Sequence, residues 1–305
     1  MQNVINTHDI IKELKSNGLQ IGDKQLFYYY VKNFNYNTFI YGYSAPFYEN
    51  ERLRRYDPEA ISDELINLYR FDRDMANHIL RFILVIEKII NTNVAYEIIN
   101  QHNIKDKCLL KLNQNYIEHQ IIPNLQDVEP KINYFNFIHK LIKYLPTSLA
   151  TKIYMRKKAG DDITRWRECP LDVMCLTWSF ATSFSLFIAL DYHIRAKILN
   201  NFGLYPSHLN GFIKIMKNIL HLRNMISHNN VIYDAKMIYD GQDLFDVYEF
   251  IFHRKITSLR LIHVMELIEY FSHSKTLIAN SRYYFNKLVI NQKFKNRILL
   301  FADNE

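Results

Sequence analysis

The chain has 305 residues, of which 49% are hydrophobic and 23% charged, a balance typical of folded globular proteins that excludes a disordered chain. It contains only seven glycines and seven prolines, which disfavours a turn-rich β fold and predicts helices. The formal charge of +7 is compatible with a polyanionic partner such as RNA, but many basic proteins bind no nucleic acid.

The N-terminal half of the chain alternates apolar-periodic segments with aromatic turns. Residues 8–17 and 23–33 are predicted to be helices. The stretch Tyr36 to Tyr48 holds six aromatic residues without a clean period, so its rings either wedge onto the core or stack on RNA bases. A helical pattern then runs from Ser62 to about Asn100, and it is predicted to break near residues 70–74.

The C-terminal half also has a helical pattern. Two helices are expected within residues 108–145, one uninterrupted helix from Leu171 to Leu190, and another from about Asp191 to Phe202. Ser207 is the candidate N-cap of a long helix that Asn229 and Asn230 end. A last helix is expected from Tyr248 to about Phe271. The chain as a whole is therefore predicted to be all-α.

Cysteine usage and hydropathy bear on the compartment. The three cysteines form no Cys-x-x-Cys pair, and an odd number argues against a disulfide framework. Residues 1–6 lack the basic flank and apolar core of a signal peptide. The most apolar stretch, Val173 to Leu190, contains several polar residues and is predicted to be buried rather than membrane-spanning. We therefore expect a cytoplasmic protein without membrane association.

The helix after Ser207 carries the polar residues of greatest interest. Arg223 falls where its apolar seam would place the next core residue, and Asn224 and His228 share one face because they are four apart. The row continues towards the N-terminus through two further basic side chains, Lys217 and His221. A permanent cation, an amide and an imidazole are thus gathered within about two turns.

These residue types suit RNA cleavage by the RNA's own 2′-hydroxyl. The reaction requires a group that moves protons near neutral pH, as histidine does, and a fixed positive charge on the phosphate, as arginine supplies. It requires no metal. The spacing is also compatible with an ordinary solvent-facing helix surface, so the pattern alone leaves both interpretations open.

The segment Leu222–His228 resembles the Arg-Asn-x-x-x-His signature of HEPN-type ribonucleases. The surrounding chain resembles the Abi family of bacterial abortive-infection proteins, in particular its AbiD/AbiF group. Four more stretches carry this resemblance in the family's order: Ile10–Leu19, Tyr41–Phe47, Leu68–Asp74 leading into a helix with Glu87, and Cys169–Met174. The chain departs from the family at Asn91 and within residues 35–39, where relatives often have arginine.

The resemblance implies an all-α, HEPN-like helical bundle with additional N-terminal helices, acting as a metal-independent endoribonuclease in anti-phage defence. Arg223 would hold the scissile phosphate, Asn224 would orient the motif or contact RNA, and His228 would transfer protons or position the 2′-hydroxyl. Because such ribonucleases build one site from two motifs, a single motif per chain implies a homodimer. No cofactor is expected, and a structured small RNA is the expected partner and regulator.

Further RNA contacts are expected from basic side chains in two short runs and beside the motif. These candidates are Arg52, Arg54, Arg55, Arg156, Lys157, Lys158, Lys217 and His221. Such runs are also common on solvated surfaces. If they do bind phosphates, the affinity for RNA should fall as salt rises.

The chain is predicted to divide into an N-terminal helical and aromatic region at residues 1–58, a HEPN-like domain at 59–285, and a basic C-terminal tail at 286–305. Two functional alternatives remain beside the ribonuclease. One is an RNA-binding ribonucleoprotein component that does not cut. The other is a protein-interaction bundle with a vestigial motif.

Overall fold

The computed structural model describes residues 6–34, 36–104, 107–128, 132–143 and 169–298. In these ranges the elements are almost all helical, which confirms the all-α fold class. The strands described are β1 (Tyr48–Asn50) and β2 (Arg55–Tyr56), which pair antiparallel as a small hairpin.

The α-helices of the described ranges follow one another along the whole chain, with short π and 3-10 turns between some of them. In chain order they are α1 Thr7–Ser16, α2 Lys24–Asn33, α3 Ser62–His102, α4 Gln114–Tyr116, α5 Leu125–Val128, α6 Tyr134–Ile142, α7 Leu171–Met174, α8 Phe180–Ala189, α9 Tyr192–Asn201, α10 Leu209–Ser227, α11 Gln242–Phe252, α12 Leu261–Phe271, α13 Leu277–Asn286 and α14 Gln292–Lys295.

Spatial proximity groups the chain into two units. Unit 1 comprises Met1–Phe82, His221–Met237 and Leu259–Glu305, and unit 2 comprises Ile83–Leu220 and Ile238–Ser258. The helices α3 and α10 contribute residues to both. The division of the sequence at residues 58/59 and 285/286 stays a prediction.

Unit 1 begins with two short helices that are capped by side chains. Asn6 accepts a hydrogen bond from the His8 amide at 3.0 Å, and Asp23 accepts from the amides of Gln25 and Leu26, each at 3.0 Å. Asparagine and aspartate are favoured N-caps because their side chains satisfy amides that the first turn leaves free.

The aromatic stretch after α2 packs into the core of unit 1. Phe39, Tyr43 and Phe47 are each at most 1% exposed. Tyr69 of α3 meets the rings of Phe39 and Tyr43 edge-on, with centroids 5.5 and 5.3 Å apart. The interpretation that these rings wedge onto the core is therefore confirmed for the three buried residues.

The helix α3 runs unbroken through 41 residues, so the break predicted near residues 70–74 is wrong. The segment contains neither glycine nor proline, and charged residues do not by themselves end a helix. Asp72 is fully buried whereas Asp74 is exposed, so the charges divide between the two faces of a continuous helix.

The single helix predicted from Leu171 to Leu190 is also wrong, because α7 ends at Met174 and α8 starts at Phe180. Ser179 caps α8 by accepting from the Thr182 amide at 3.2 Å. The Asn91 amide group, buried in unit 2, donates to the carbonyls of Cys175 and Trp178, each at 3.1 Å. Asn91 thus satisfies the main chain at this break.

The helix predicted from Tyr248 to Phe271 is likewise two helices, α11 and α12, and α11 starts earlier, at Gln242. His253 ends α11 in the left-handed region with φ of 52°. The following polar run, residues 253–258, offers no apolar face that packing could bury. In the ranges given above, we find no helix with the length and apolar character that crossing a bilayer requires.

Candidate functional site

The Arg-Asn-x-x-x-His motif lies at the C-terminal end of α10, in unit 1. The Asn230 amide donates to the Met225 carbonyl at 2.9 Å, and the Asn229 amide donates to the Ile226 carbonyl at 3.0 Å. Asn229 adopts a left-handed conformation with φ of 55°. Together these features form a Schellman motif, for which asparagine is second only to glycine. His228 is therefore the C-cap residue of α10, which agrees with the helix end predicted at Asn229 and Asn230.

The three motif side chains differ in exposure. Asn224 and His228 are exposed, and the His228 amide donates to the Asn224 carbonyl at 3.0 Å, so the last turn carries both on one side. Arg223 is half-buried, and its Nε atom is buried without a hydrogen-bond partner among the described residues. A buried guanidinium nitrogen without a protein acceptor is uncommon and requires an explanation.

A buried carboxylate fixes the segment that leaves the motif. Asp72 accepts hydrogen bonds from the Ile232 amide at 3.0 Å and from the Tyr233 amide at 2.5 Å. Its other oxygen accepts from the Tyr43 hydroxyl at 2.6 Å, and Arg73 lies 2.5 Å from that same oxygen. Asp72 is 0% exposed, so main-chain amides, a phenol and a guanidinium take the place of its lost hydration.

Burial and the neighbouring charges act on the pKa values of this cluster. Burial raises the pKa of Tyr43, and the charge of Asp72 adds to that rise, so the phenol remains a donor. Burial also raises the pKa of Asp72, and the charge of Arg73 opposes that rise. Arg73 additionally donates to the Asn230 carbonyl, the residue that closes the Schellman motif.

Gly42 allows the same segment to approach closely. A Cβ atom at Gly42 would lie 2.5 Å from Cγ2 of Val231, so a larger residue would force the Val231 side chain to move. The Tyr233 hydroxyl donates to the Gly42 carbonyl at 3.2 Å. Together with Asp72, these contacts set where the chain goes after His228.

A second buried polar side chain, in unit 2, holds the chain farther on. Asn218 is 0% exposed, and its oxygen accepts from the amides of Ile238 and Tyr239, each at 3.1 Å. Its nitrogen donates to the Tyr239 carbonyl at 2.5 Å. The segment after the motif is therefore tied down at residues 232–233 and again at 238–239.

Asp72, Gly42 and Asn218 had no predicted role. A signal was nevertheless present for the two polar residues. Asp72 lies in a row of buried residues with Leu68 and Ile79, and Asn218 lies beside Ile219 in the apolar seam of α10. A polar residue on the apolar face of a helix indicates a buried partner, but it does not say which one.

The predicted RNA-binding residues lie in several places. Arg52, Arg54 and Arg55 are exposed at and beside the turn of the β hairpin; Arg54 lies 4.4 Å from the Tyr41 ring centroid, and Arg55 lies 3.7 Å from Glu49. Arg156, Lys157 and Lys158 lie outside the described residues. RNA contact by all of these residues stays a prediction.

The other two candidates precede the motif on α10. Lys217 belongs to unit 2, where its ammonium lies 5.4 Å from the Tyr239 ring centroid. His221 is half-buried and belongs to unit 1. Lys217 is thus engaged in a cation–π contact. RNA that binds Lys217 would have to compete with this contact.

The positive charges of residues 287–297 are partly used within unit 1. Lys293 lies 2.8 Å from the Asp57 carboxylate, and Arg297 donates to the carbonyls of Pro46 and Tyr48 at 2.9 and 2.8 Å. Phe294, between them, is fully buried. These contacts dock α14 and lower the net charge that this part of the chain offers to a polyanion.

The comparisons with known proteins support the resemblance to the Abi family. A family model described as Abi-like protein matches residues 29–234, which include Gly42, Asp72 and the complete motif. No curated protein and no solved structure gives a significant match.

Proposed function

Because the chain belongs to the Abi-like protein family, which indicates a role in abortive infection, we propose that it acts in anti-phage defence as a metal-independent endoribonuclease. The observation that carries the proposal is the end of α10. There the buried Nε of Arg223 has no acceptor among the described residues, while Asn224 and His228 face solvent within the next five positions.

The chemistry follows from these groups. The 2′-hydroxyl of RNA attacks the adjacent phosphorus and loses its proton to an imidazole, while the bond to the 5′-oxygen breaks and that oxygen takes up a proton. Arg223 binds the phosphate and stabilises the charge that accumulates on its oxygens. Asn224 orients the motif or contacts RNA. The products carry a 2′,3′-cyclic phosphate and a 5′-hydroxyl.

Two imidazoles are needed if one accepts a proton and another donates one in the same step. A homodimer supplies a second His228 and a second Arg223 at a two-fold interface. The proposal therefore includes the homodimer, with the exposed ends of two α10 helices facing each other. It also includes a structured small RNA, bound by the basic side chains, that restrains the nuclease. We place the protein in the cytoplasm, where the three free cysteines would stay reduced.

The test compares RNA cleavage by the wild type with cleavage by His228→Ala and Arg223→Ala. Each variant should lose activity by about 100-fold or more while keeping its circular dichroism spectrum and melting temperature. His193→Ala, another exposed histidine, is the matched control and should remain active. Wild-type cleavage should persist in EDTA and yield cyclic phosphate ends. A well-folded His228→Ala protein with full activity would refute the assignment.

A non-catalytic RNA-binding role is the second candidate, favoured by the exposure of Arg52, Arg54 and Arg55. It predicts salt-sensitive RNA binding without cleavage by the wild type. The nuclease proposal instead predicts that His228→Ala binds RNA normally and does not cut it. Binding and cleavage measured on the same RNA separate the two.

A further inference from the structure

A cavity of about 610 Å³ lies within unit 1, next to the segment that follows the motif. Its volume falls within the range of roughly 300–1,000 Å³ that is usual for small-molecule sites. Residues 233–237 line it, and this segment runs from one point at which Asp72 holds the chain to another at which Asn218 holds it. The cavity therefore borders a segment that starts five residues after His228.

One side of the cavity is suited to an anion. Arg260 lines it, and the Nε of this half-buried arginine is buried without a hydrogen-bond partner in the described part of the chain. Arg260 is also the N-cap of α12, an 11-residue helix whose first residue, Leu261, lines the same wall. A helix N-terminus adds positive partial charge beside the guanidinium, a combination that favours phosphate.

The other arginine of the cavity is already engaged. Arg297 donates to the carbonyls of Pro46 and Tyr48 and lies 3.5 Å from Asp57. Arg260 is therefore the arginine of this lining with an unsatisfied buried nitrogen. The geometry assigns the anion-binding role to Arg260 rather than to Arg297.

Two carboxylates, Glu51 and Asp234, line the cavity as well. Desolvation raises the pKa of Asp234, the charge of Lys236, which also lines the cavity, opposes that rise, and the charge of Glu51 adds to it. Carboxylates of this kind accept hydrogen bonds from sugar hydroxyls, as an acidic residue does for ribose in dinucleotide sites. They would repel a ligand that presented phosphate on every side.

The lining also contains apolar residues. These are Met237, Leu259 and Ile298, together with Tyr233. A flat heterocycle could pack against these side chains. The cavity thus offers a cation, acceptors for hydroxyls and an apolar surface, which match the phosphate, ribose and base of one nucleotide.

We propose that this cavity binds a nucleoside monophosphate, either as a free nucleotide or as one nucleotide of an RNA. Arg260 binds the phosphate, Glu51 and Asp234 accept from the ribose hydroxyls, and the wall around Met237 receives the base. The site does not depend on the ribonuclease proposal.

The experiment is calorimetric titration of full-length protein with AMP and, separately, with the trinucleotide ApApA. Both ligands are titrated into the His228→Ala protein, so that cleavage cannot consume the trinucleotide. The result therefore does not depend on whether the ribonuclease proposal is correct. Saturable binding is expected. Arg260→Gln should weaken it by about tenfold or more, because a hydrogen-bonded charge pair is lost.

Ala235→Trp, which places a large ring in the cavity, should abolish binding, and its melting temperature verifies folding. The matched control is Arg282→Gln, an exposed arginine outside the cavity lining, which should bind normally. Tighter binding of AMP identifies a free nucleotide as the ligand, and tighter binding of ApApA identifies RNA; either supports the site. The absence of binding by both probes, or binding that both cavity variants leave unchanged, overturns it.

Discussion

Asp72 shows how one buried carboxylate can determine the surroundings of a motif 150 residues away in the chain. Its two oxygens accept from the amides of Ile232 and Tyr233, from the Tyr43 hydroxyl and from Arg73. Each donor would be costly to leave unsatisfied in a buried position. Asp72 therefore acts as a positioning residue for the chain after His228.

Replacing Asp72 with Asn should destabilise the protein by about 3–5 kcal/mol. Arg73 would lose its buried ion pair, and the amide NH2 group that replaces one carboxylate oxygen would face hydrogen-bond donors. Chemical denaturation measures the loss, and hydrogen exchange should accelerate at the amides of residues 232 and 233. Asp74→Asn, on the exposed face of the same helix, is the matched control. Equal stability of both variants would contradict the role given to Asp72.

At the level of single residues, the motif is recognisable in the sequence, but the buried residues that hold the chain after it are not. Arg223, Asn224 and His228 could be recognised because their spacing is local. Asp72 and Gly42 act through contacts with residues 231–233, and no periodicity within α3 or the aromatic stretch indicates those partners. Patterns within a single sequence do not show which residues far apart in the chain contact each other.

Among the elements, α14 has the clearest electrostatic anchor. Its Lys293 and the following Arg297 both meet Asp57, whose side chain is 4% exposed. The hydrogen bond from Lys293 lowers the pKa of Asp57 below its ordinary value of 3.8. A carboxyl with a depressed pKa in the folded state contributes stability above its unfolded pKa, and that contribution is lost as pH falls through the folded pKa.

Asp57→Asn should therefore lower the melting temperature at pH 5–7, because the two cations lose their charged acceptor. The difference from wild type should shrink as the pH is lowered below about 3.8, where the wild-type carboxyl takes up its proton. Glu59→Gln, at a more exposed acid 3.5 Å from Lys293, should have a smaller effect. Parallel melting curves with a constant difference down to pH 2 would contradict this account.

The elements also show which local signals were reliable. The end of α10 agrees with the helix end predicted at Asn229 and Asn230, and asparagine tolerates the left-handed conformation that a Schellman motif needs. The breaks in 171–190 and 248–271 were missed because no glycine or proline marks them. At the first break, Asn91 satisfies carbonyls that a continuous helix would have used internally, and this contact comes from another helix.

For the whole molecule, the proposed homodimer makes a prediction about mass and about mixed dimers. Light scattering on protein purified with its RNA should give a protein mass of twice the chain's 36.7 kDa. Adding an excess of His228→Ala to the wild type should lower cleavage, because a mixed dimer keeps only one of the two imidazoles at the shared site. A monomer that cuts at full rate, or verified mixed dimers that cut as fast as the wild type, would contradict the composite site.

The sequence by itself determined the helical class, the motif and its helix end, since these depend on composition, periodicity and turn chemistry between near neighbours. The tertiary structure decided which polar residues are buried, how residues 230–239 are held by Asp72 and Asn218, and that a cavity with an unsatisfied arginine lies beside them. The physical reason is desolvation. A buried polar group must find its partner wherever the fold provides one, and that partner can lie anywhere along the chain.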